Sequence, residues 1–184
     1  MNFFQAIILG IVQALTEYLP VSSSAHIRII GDLMLGADPG AAFTAIIQIG
    51  TELAVILYFR RDIINILSHW FGCLFGKNGP DWRARMGRGD KYATLGWNVI
   101  VGSIPIIILG FTLQNIIETS LRNLWITVTV LFLFGLLLWI VDARSRQIKT
   151  MDDMNYRDAF LFGLGQSMAL IPGVSRSGGT ITVG

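Results

Sequence analysis

Residues 13–26 read Gln13-Ala14-Leu15-Thr16-Glu17-Tyr18-Leu19-Pro20-Val21-Ser22-Ser23-Ser24-Ala25-His26, and the architecture turns on the break they contain. They close an apolar run, residues 3–19, that carries Gln13 and Glu17 and stops at Pro20. Proline removes a backbone donor and clashes with the preceding turn, so a helix ends there. Three serines then suit the opening of a second helix, which carries His26. A secretory signal peptide would have Lys or Arg at its amino end and a small-residue cleavage site, and the run shows neither. The stretch therefore reads as a re-entrant helix that enters a membrane, breaks and returns. Non-helical backbone at that depth is tolerated only where it is buried in protein or lines a wet cavity.

The rest of the chain supplies the membrane character. Of its 184 residues 53% are hydrophobic and 14% charged, against about 25% charged in a typical soluble domain. Mean hydropathy is +0.60. Such a chain has too little polar surface to coat a globule, which excludes a soluble enzyme, a disordered tail and a basic nucleic-acid binder. The formal net charge of +2 says less than where the charges sit, and the single Cys73 cannot form an internal disulfide. Lys and Arg gather at Arg60, Arg61, Lys77, Arg83, Arg85, Arg88 and Lys91, and again between Arg144 and Arg157. Between them lie apolar stretches near 42–59, 93–114 and 123–141, each close to the roughly 20 residues that cross a bilayer as helix. Trp97, Trp125 and Trp139 fall near the ends of the last two, where interface anchors belong. Residues 62–75 mix Asp62, Asn65, Ser68 and His69 with Ile, Leu, Trp and Phe, as an interfacial amphipathic helix would. The positive-inside rule puts both basic clusters in the cytoplasm and the 115–122 connection outside. The fold class is an all-α polytopic membrane protein.

A second apolar stretch, 159–171, is too short to span and ends at Pro172. It repeats the first: Ala6, Gly10 and Gln13 match Ala159, Gly163 and Gln166 at a constant offset of 153, and Pro20 and Ser23 match Pro172 and Ser175 after a one-residue slip. The topology sends the two copies in from opposite sides, which describes an inverted-topology repeat with substrate sites at the repeat interface. The expected organisation is a single membrane domain over 1–184. Residues 1–150 form a first repeat of one re-entrant pair and three spans, and 151–184 begin a second. Symmetry then leads us to expect a chain truncated at its C-terminus, with about 80–100 further residues after Gly184.

The two breaks carry the chemistry. Gln13 and Glu17 are four apart and share a helix face. Ser22 or Ser23 could serve as a plain N-cap and His26 as a satisfied buried polar group, but ionisable groups at membrane depth are costly and mark functional sites. The second break, Pro172-Gly173-Val174-Ser175-Arg176-Ser177-Gly178-Gly179-Thr180, offers a tight loop, hydroxyls from Ser175, Ser177 and Thr180, and a helix start that favours an anion. Arg176 adds a permanently charged planar fork that suits phosphate oxygens; the alternative is a buried ion pair with Glu17.

Gln13-x-x-x-Glu17 with Pro20-Val21-Ser22-Ser23-Ser24-Ala25-His26, followed by Pro172-Gly173-x-Ser175-Arg176-Ser177-x-x-Thr180, resembles the undecaprenyl-diphosphate phosphatase family of the bacitracin-resistance type. The stretch Gln48-Ile49-Gly50-Thr51-Glu52-Leu53-Ala54-Val55 also looks like that family's third helix. The resemblance implies an enzyme of the bacterial plasma membrane, its site facing the extracytoplasmic side. It would hydrolyse undecaprenyl diphosphate to undecaprenyl phosphate and inorganic phosphate, renewing the lipid carrier for cell-wall synthesis. It also suggests a homodimer. Many members have Glu where this chain has Gln13, so a paired-carboxylate site at those two positions is unavailable; Ala25 replaces a common Gly. By the same resemblance Glu17 would hold a divalent cation, Mg²⁺ or Ca²⁺, and His26 would be general acid or base. The attacking group stays open among Ser23, His26 and water. Arg176 would stabilise the transferring phosphoryl. Gln13, Ser22, Ser175, Ser177 and Thr180 would contact substrate.

Inverted repeats are also transporter architecture, so the alternative is a transporter or flippase of the phosphorylated lipid carrier. Glu52 in the first span, with Gln48 one turn away on the same face, reads equally as a cavity or proton-path residue and as a hydrogen-bonded packing contact between helices. Gly102, Pro105 and Gly110 read as packing and kink positions, His69 and Cys73 as structural, and the Lys77–Lys91 loop as a solvated connection near anionic lipid.

Overall fold

A computed structural model describes residues 1–119, 123–145 and 149–184, the side chains of 115, 116, 118, 119 and 152 excepted. Arg146 of the second basic cluster and the tip of the 115–122 connection lie outside the described residues. Among the described residues the chain is helical, without strands. The helices are α1 Phe3–Thr16, α2 Ser23–Leu35, α3 Ala41–Tyr58, α4 Arg60–Leu74, α5 Trp82–Arg85, α6 Lys91–Thr119, α7 Leu124–Arg144, α8 Tyr156–Ser167 and α9 Arg176–Val183.

Both short apolar runs fold as helix, break and helix. α1 is started by a capping box, Asn2 accepting from the Gln5 N–H and the Gln5 side chain accepting from the Asn2 N–H. It ends at Thr16, before Pro20, and α2 begins at Ser23. α8 starts on a second capping box, Asn155 with Asp158, and gives way to a 3₁₀ turn at Met168–Leu170 ahead of Pro172. Each run is thus one hairpin of two helices about a proline-bearing loop.

α3, α6 (over Lys91–Gln114) and α7 are long and apolar enough to cross a membrane. Their side chains are mostly exposed: Phe111, Phe132 and Trp125 are bare, as lipid-facing residues of an apolar helix would be. Pro105 lies inside α6, and the helix continues through it. α4 is the separate amphipathic helix foreseen at 62–75. It docks on α6 through Trp70, whose ring meets Trp97 edge-on at 5.3 Å. Trp97 therefore packs inward, because Gly96 clears the surface on which Trp70 rests, while Trp125 and Trp139 face outward as anchors.

The second hairpin is clamped by backbone contact. A Cβ on Gly163 of α8 would lie 2.2 Å from the Gly102 carbonyl oxygen of α6, and one on Gly179 of α9 would lie 2.3 Å from the Gly165 oxygen. Small residues let helix backbones approach in an apolar medium where side-chain burial drives little association. The loop between them is seated equally close: Gly173, at φ 105°, presses on the Thr127 carbonyl of α7. This fixes where the Ser175–Arg176 turn stands.

The Lys77–Lys91 loop is mostly exposed, as a solvated connection would be, and is tied to α4 through Asp90 and Asn78. Asp90 accepts from His69 Nδ1 at 2.8 Å and from the Ala93 N–H at 3.1 Å, and Cys73 is buried beneath it. Asn78 Nδ2 donates to Cys73 Sγ at 3.0 Å. Burial pushes the Cys73 thiol up, and the neighbouring Asp90 carboxylate adds to this.

Candidate functional site

The breaks of the two hairpins face each other across one cavity of about 140 Å³. α1 delivers Gln13 and Glu17 to it, one turn apart. Gln13 is buried, and its Nε2 donates to Glu17 Oε2 at 2.8 Å. Its Oε1 is buried and has no hydrogen-bond partner. An orphaned acceptor is costly unless something donates to it or it binds a cation.

Ser22 stands at the N-cap position of α2 but in the left-handed region, φ 61°, and its side chain makes no capping bond. It is the non-glycine residue with positive φ among the described residues. Such a conformation costs on the order of 1–3 kcal/mol and persists only when its surroundings enforce it. The enforcement is visible: His26 Nδ1 sits 2.9 Å from the Ser22 carbonyl. A carbonyl only accepts, so Nδ1 carries the proton and Nε2 is the nitrogen left with a lone pair in the neutral ring. The turn aims Ser23 away from the cap and toward α1. Its Oγ donates to Glu17 Oε2 at 2.5 Å. The plain N-cap reading of these serines is thus not what is seen.

Opposite, Ser175 is a conventional N-cap of α9, accepting from the Gly178 N–H at 3.2 Å. Ser177 Oγ donates to the Leu19 carbonyl at 3.0 Å and so stitches the second hairpin to the first. Arg176 reaches between two carboxylates, with Nη2 3.9 Å from Glu17 Oε1 and Nη1 3.8 Å from Glu52 Oε1. Neither contact is a close bidentate pair, and the guanidinium is half-exposed, so its donors are free to meet an anion.

The structure therefore brings together Gln13, Glu17, Ser22, Ser23, Ser175 and Arg176 around the small cavity. Ser177 and Thr180 line an adjoining void of about 560 Å³ with Glu17, Glu52 and Arg176. Thr180 Oγ1 is turned back to the Ser177 carbonyl at 2.9 Å. His26 lines neither and reaches the cavity only through Ser22. The sequence reading missed Thr44 and Ser24, which line the cavity beside Gln48. Thr44, Gln48 and Glu52 recur every fourth residue along an apolar helix, and that polar stripe was the available signal. It also missed Tyr18, whose hydroxyl donates to the Thr51 carbonyl at 2.7 Å.

For a divalent cation the cavity offers the Glu17 carboxylate and the orphaned Gln13 Oε1, both hard oxygen donors of the kind Mg²⁺ and Ca²⁺ take. Among the described residues no group of three or more His, Cys, Asp or Glu could hold a metal by itself. The donor set fits an ion that keeps most of its ligands as water or substrate oxygens.

Residues 6–184 match the family described as bacitracin resistance protein BacA. A protein of Bifidobacterium longum subsp. infantis described as undecaprenyl-diphosphatase is 89% identical over all 184 residues, which cover 63% of its length. One of Bifidobacterium adolescentis with the same description is 71% identical, again over the whole chain and 63% of the relative. One of Micrococcus luteus is 54% identical over 185 aligned residues, covering 100% of this chain and 64% of the relative. The chain thus spans a little under two thirds of the curated relatives it matches.

Proposed function

The chain belongs to the bacitracin resistance protein BacA family, a family of multi-pass membrane proteins, and from that premise we propose that its cavity hydrolyses undecaprenyl diphosphate to undecaprenyl phosphate and inorganic phosphate. The observation that carries the reading is the meeting of Arg176 with Glu17 and the Glu17-bound Ser23 across two broken helices. The substrate's terminal phosphate takes Arg176 from its carboxylate partners, since a guanidinium fork pairs more strongly with phosphate oxygens than with acids 3.8–3.9 Å away. Ser23 Oγ attacks the terminal phosphorus and Glu17 takes its proton. The bond to the bridging oxygen breaks, and that oxygen leaves on the lipid phosphate. Glu17, having passed its proton to solvent, then deprotonates the water that cleaves the phosphoserine and returns that proton to Ser23 Oγ as inorganic phosphate leaves. His26 serves this reading by holding the strained Ser22 turn that points Ser23 at Glu17. A bound Mg²⁺ or Ca²⁺, held at Glu17 and Gln13 Oε1, would supply charge neutralisation of the diphosphate.

The site faces the extracytoplasmic side in this reading, because the basic residues follow α3 and α7 and so mark the cytoplasmic ends of those helices. The host membrane is the bacterial plasma membrane, where the lipid carrier resides. The test is phosphate release from a long-chain polyprenyl diphosphate in detergent micelles, with and without a chelator, beside Arg176→Ala. Chelator-sensitive release that falls by about 10³-fold or more in the variant is expected. A folded protein that binds the lipid and releases no phosphate would overturn the hydrolase reading and leave lipid transport as the alternative.

A further inference from the structure

If the cavity is a phosphatase site, its two products part company: the lipid stays in the membrane, while inorganic phosphate needs a polar route out. Two larger voids adjoin the 140 Å³ cavity. The 560 Å³ void shares Glu17 and Arg176 with it and adds Glu52, so its wall carries two carboxylates against one guanidinium. That balance repels a small dianion. The other void, about 330 Å³, shares Ser24, Thr44, Gln48 and Ala169 with the cavity and so lies directly against it. Among the described residues its charged groups are Arg28 of α2 and Asp38 of the loop before α3.

Arg28 is not fully used by its partner. Its Nη1 lies 3.0 Å from Asp38 Oδ2, yet neither Nη1 nor Nε makes an aligned hydrogen bond, and both atoms are buried. The contact is one of charge rather than of donor and acceptor. Asp38 is independently tethered, its Oδ1 accepting from the Gly40 N–H at 3.0 Å. An arginine in a helix of the membrane domain with unspent donors, in a void lying against an anion-handling cavity, has the chemistry of an anion site. The void is bordered by Ile117 near the end of α6 and Thr127 near the start of α7. These are the ends away from the Arg60–Lys91 basic loop.

We propose that Arg28 forms a second anion site that receives inorganic phosphate from the cavity at Arg176, displacing Asp38, its resident counter-ion. The inference rests on the phosphatase reading for its direction of travel. Phosphate binding at Arg28 itself can be measured without turnover.

The experiment is calorimetric titration of inorganic phosphate into the detergent-solubilised protein carrying Arg176→Ala, which isolates the second site. Arg28→Gln and Asp38→Asn are then added singly, and unfolding midpoints are recorded for each. Both substitutions break the same ion pair, so a purely structural pair makes them act alike. The proposal expects opposite signs: Arg28→Gln weakens phosphate binding by about tenfold or more, and Asp38→Asn tightens it several-fold, while both lower the midpoint. Shifts of the same sign, no shift in either, or no phosphate binding once Arg176 is gone would each overturn it. Failure of the phosphatase reading shows separately, as no release of phosphate from polyprenyl diphosphate by protein that retains Arg176.

Discussion

The two hairpins share a pattern, apolar helix, proline, serine-bearing loop and helix, and solve it by different physics. The first holds its break with side chains: Gln13 and Ser23 both donate to Glu17, and His26 pins a serine in a left-handed turn. The second holds its break with glycines, which let α8 touch α6 and α9 backbone to backbone and seat Gly173 on α7. Consequently the first hairpin presents a polarised hydroxyl and a carboxylate, and the second presents a loosely paired cation on a rigid backbone. The proposed phosphoryl transfer would use both, an attacking group that can shed a proton and a positive charge. The difference between the hairpins is a division of labour.

The serines at equivalent positions, Ser23 and Ser175, put that division to its most demanding test. Ser23 spends its hydroxyl on Glu17, whereas Ser175 spends its own on the Gly178 N–H. Ser23→Ala is expected to lower kcat for phosphate release by about 10²–10⁴-fold with little change in unfolding midpoint. Ser175→Ala is expected to cost about 1 kcal/mol of stability as a lost cap, with a much smaller loss of kcat. Measuring kcat and thermal unfolding on both variants checks this. Equal losses of kcat would dissolve the comparison, since the two hairpins would then be chemically alike.

A second test exchanges chemistry for packing. Gly10 and Gly163 also occupy matching positions, but nothing lies within 4 Å of a Cβ on Gly10, while one on Gly163 would strike the Gly102 carbonyl at 2.2 Å. Gly163→Ala is expected to destabilise by about 1–3 kcal/mol through forced separation of α6 and α8. Gly10→Ala is expected to be neutral or to gain up to about 1 kcal/mol from helix propensity. Unfolding midpoints in one detergent decide it, and a neutral Gly163→Ala would mean that the second hairpin is not clamped by its backbone.

What could be read from the residues follows the same divide. Pro20 and Pro172 each stand beside serine- or glycine-bearing turn residues, so both hairpins were legible, as were the spans, whose length and apolarity are local properties. Glu17, Ser23 and Arg176 could be singled out because polar groups in an apolar setting are conspicuous. Which serine would face the acid and which would cap a helix could not be read, because that depends on the φ of Ser22, and a serine gives no local sign of a left-handed turn. Thr44 escaped, and the choice between the two readings of Glu52 stayed open, for a related reason. A threonine is unremarkable in a membrane helix, and the role of Glu52 beside Arg176 follows from how α3 is rotated toward α9. The pairing of Trp97 with Trp70 could not be read either, because it joins helices distant in sequence.

The smallest expected effect lies outside both hairpins and marks where the comparison stops. Burial alone would raise the Asp90 carboxyl, but its hydrogen bonds from His69 and the Ala93 N–H, with the attraction of His69, outweigh this and hold it below the usual carboxylate range. A carboxyl depressed in the folded state adds stability that is fully present above its unfolded value, near about 3.9, and is lost as pH falls through the lower folded value. The tie between the 76–90 loop and α4 should hold through neutral and mildly acid pH and loosen only below about pH 4. Cys73, buried beneath Asp90, is the reporter. Its reaction with 4,4′-dithiodipyridine, which works in acid, should quicken over that range, and His69→Ala should move the onset to higher pH. Neither change should alter the rank order of Ser23→Ala and Ser175→Ala, because no bond described here links Asp90 to either break. If unmasking Cys73 in acid also changed that order, the division of labour between the hairpins would depend on the Asp90 latch as well as on the two breaks themselves.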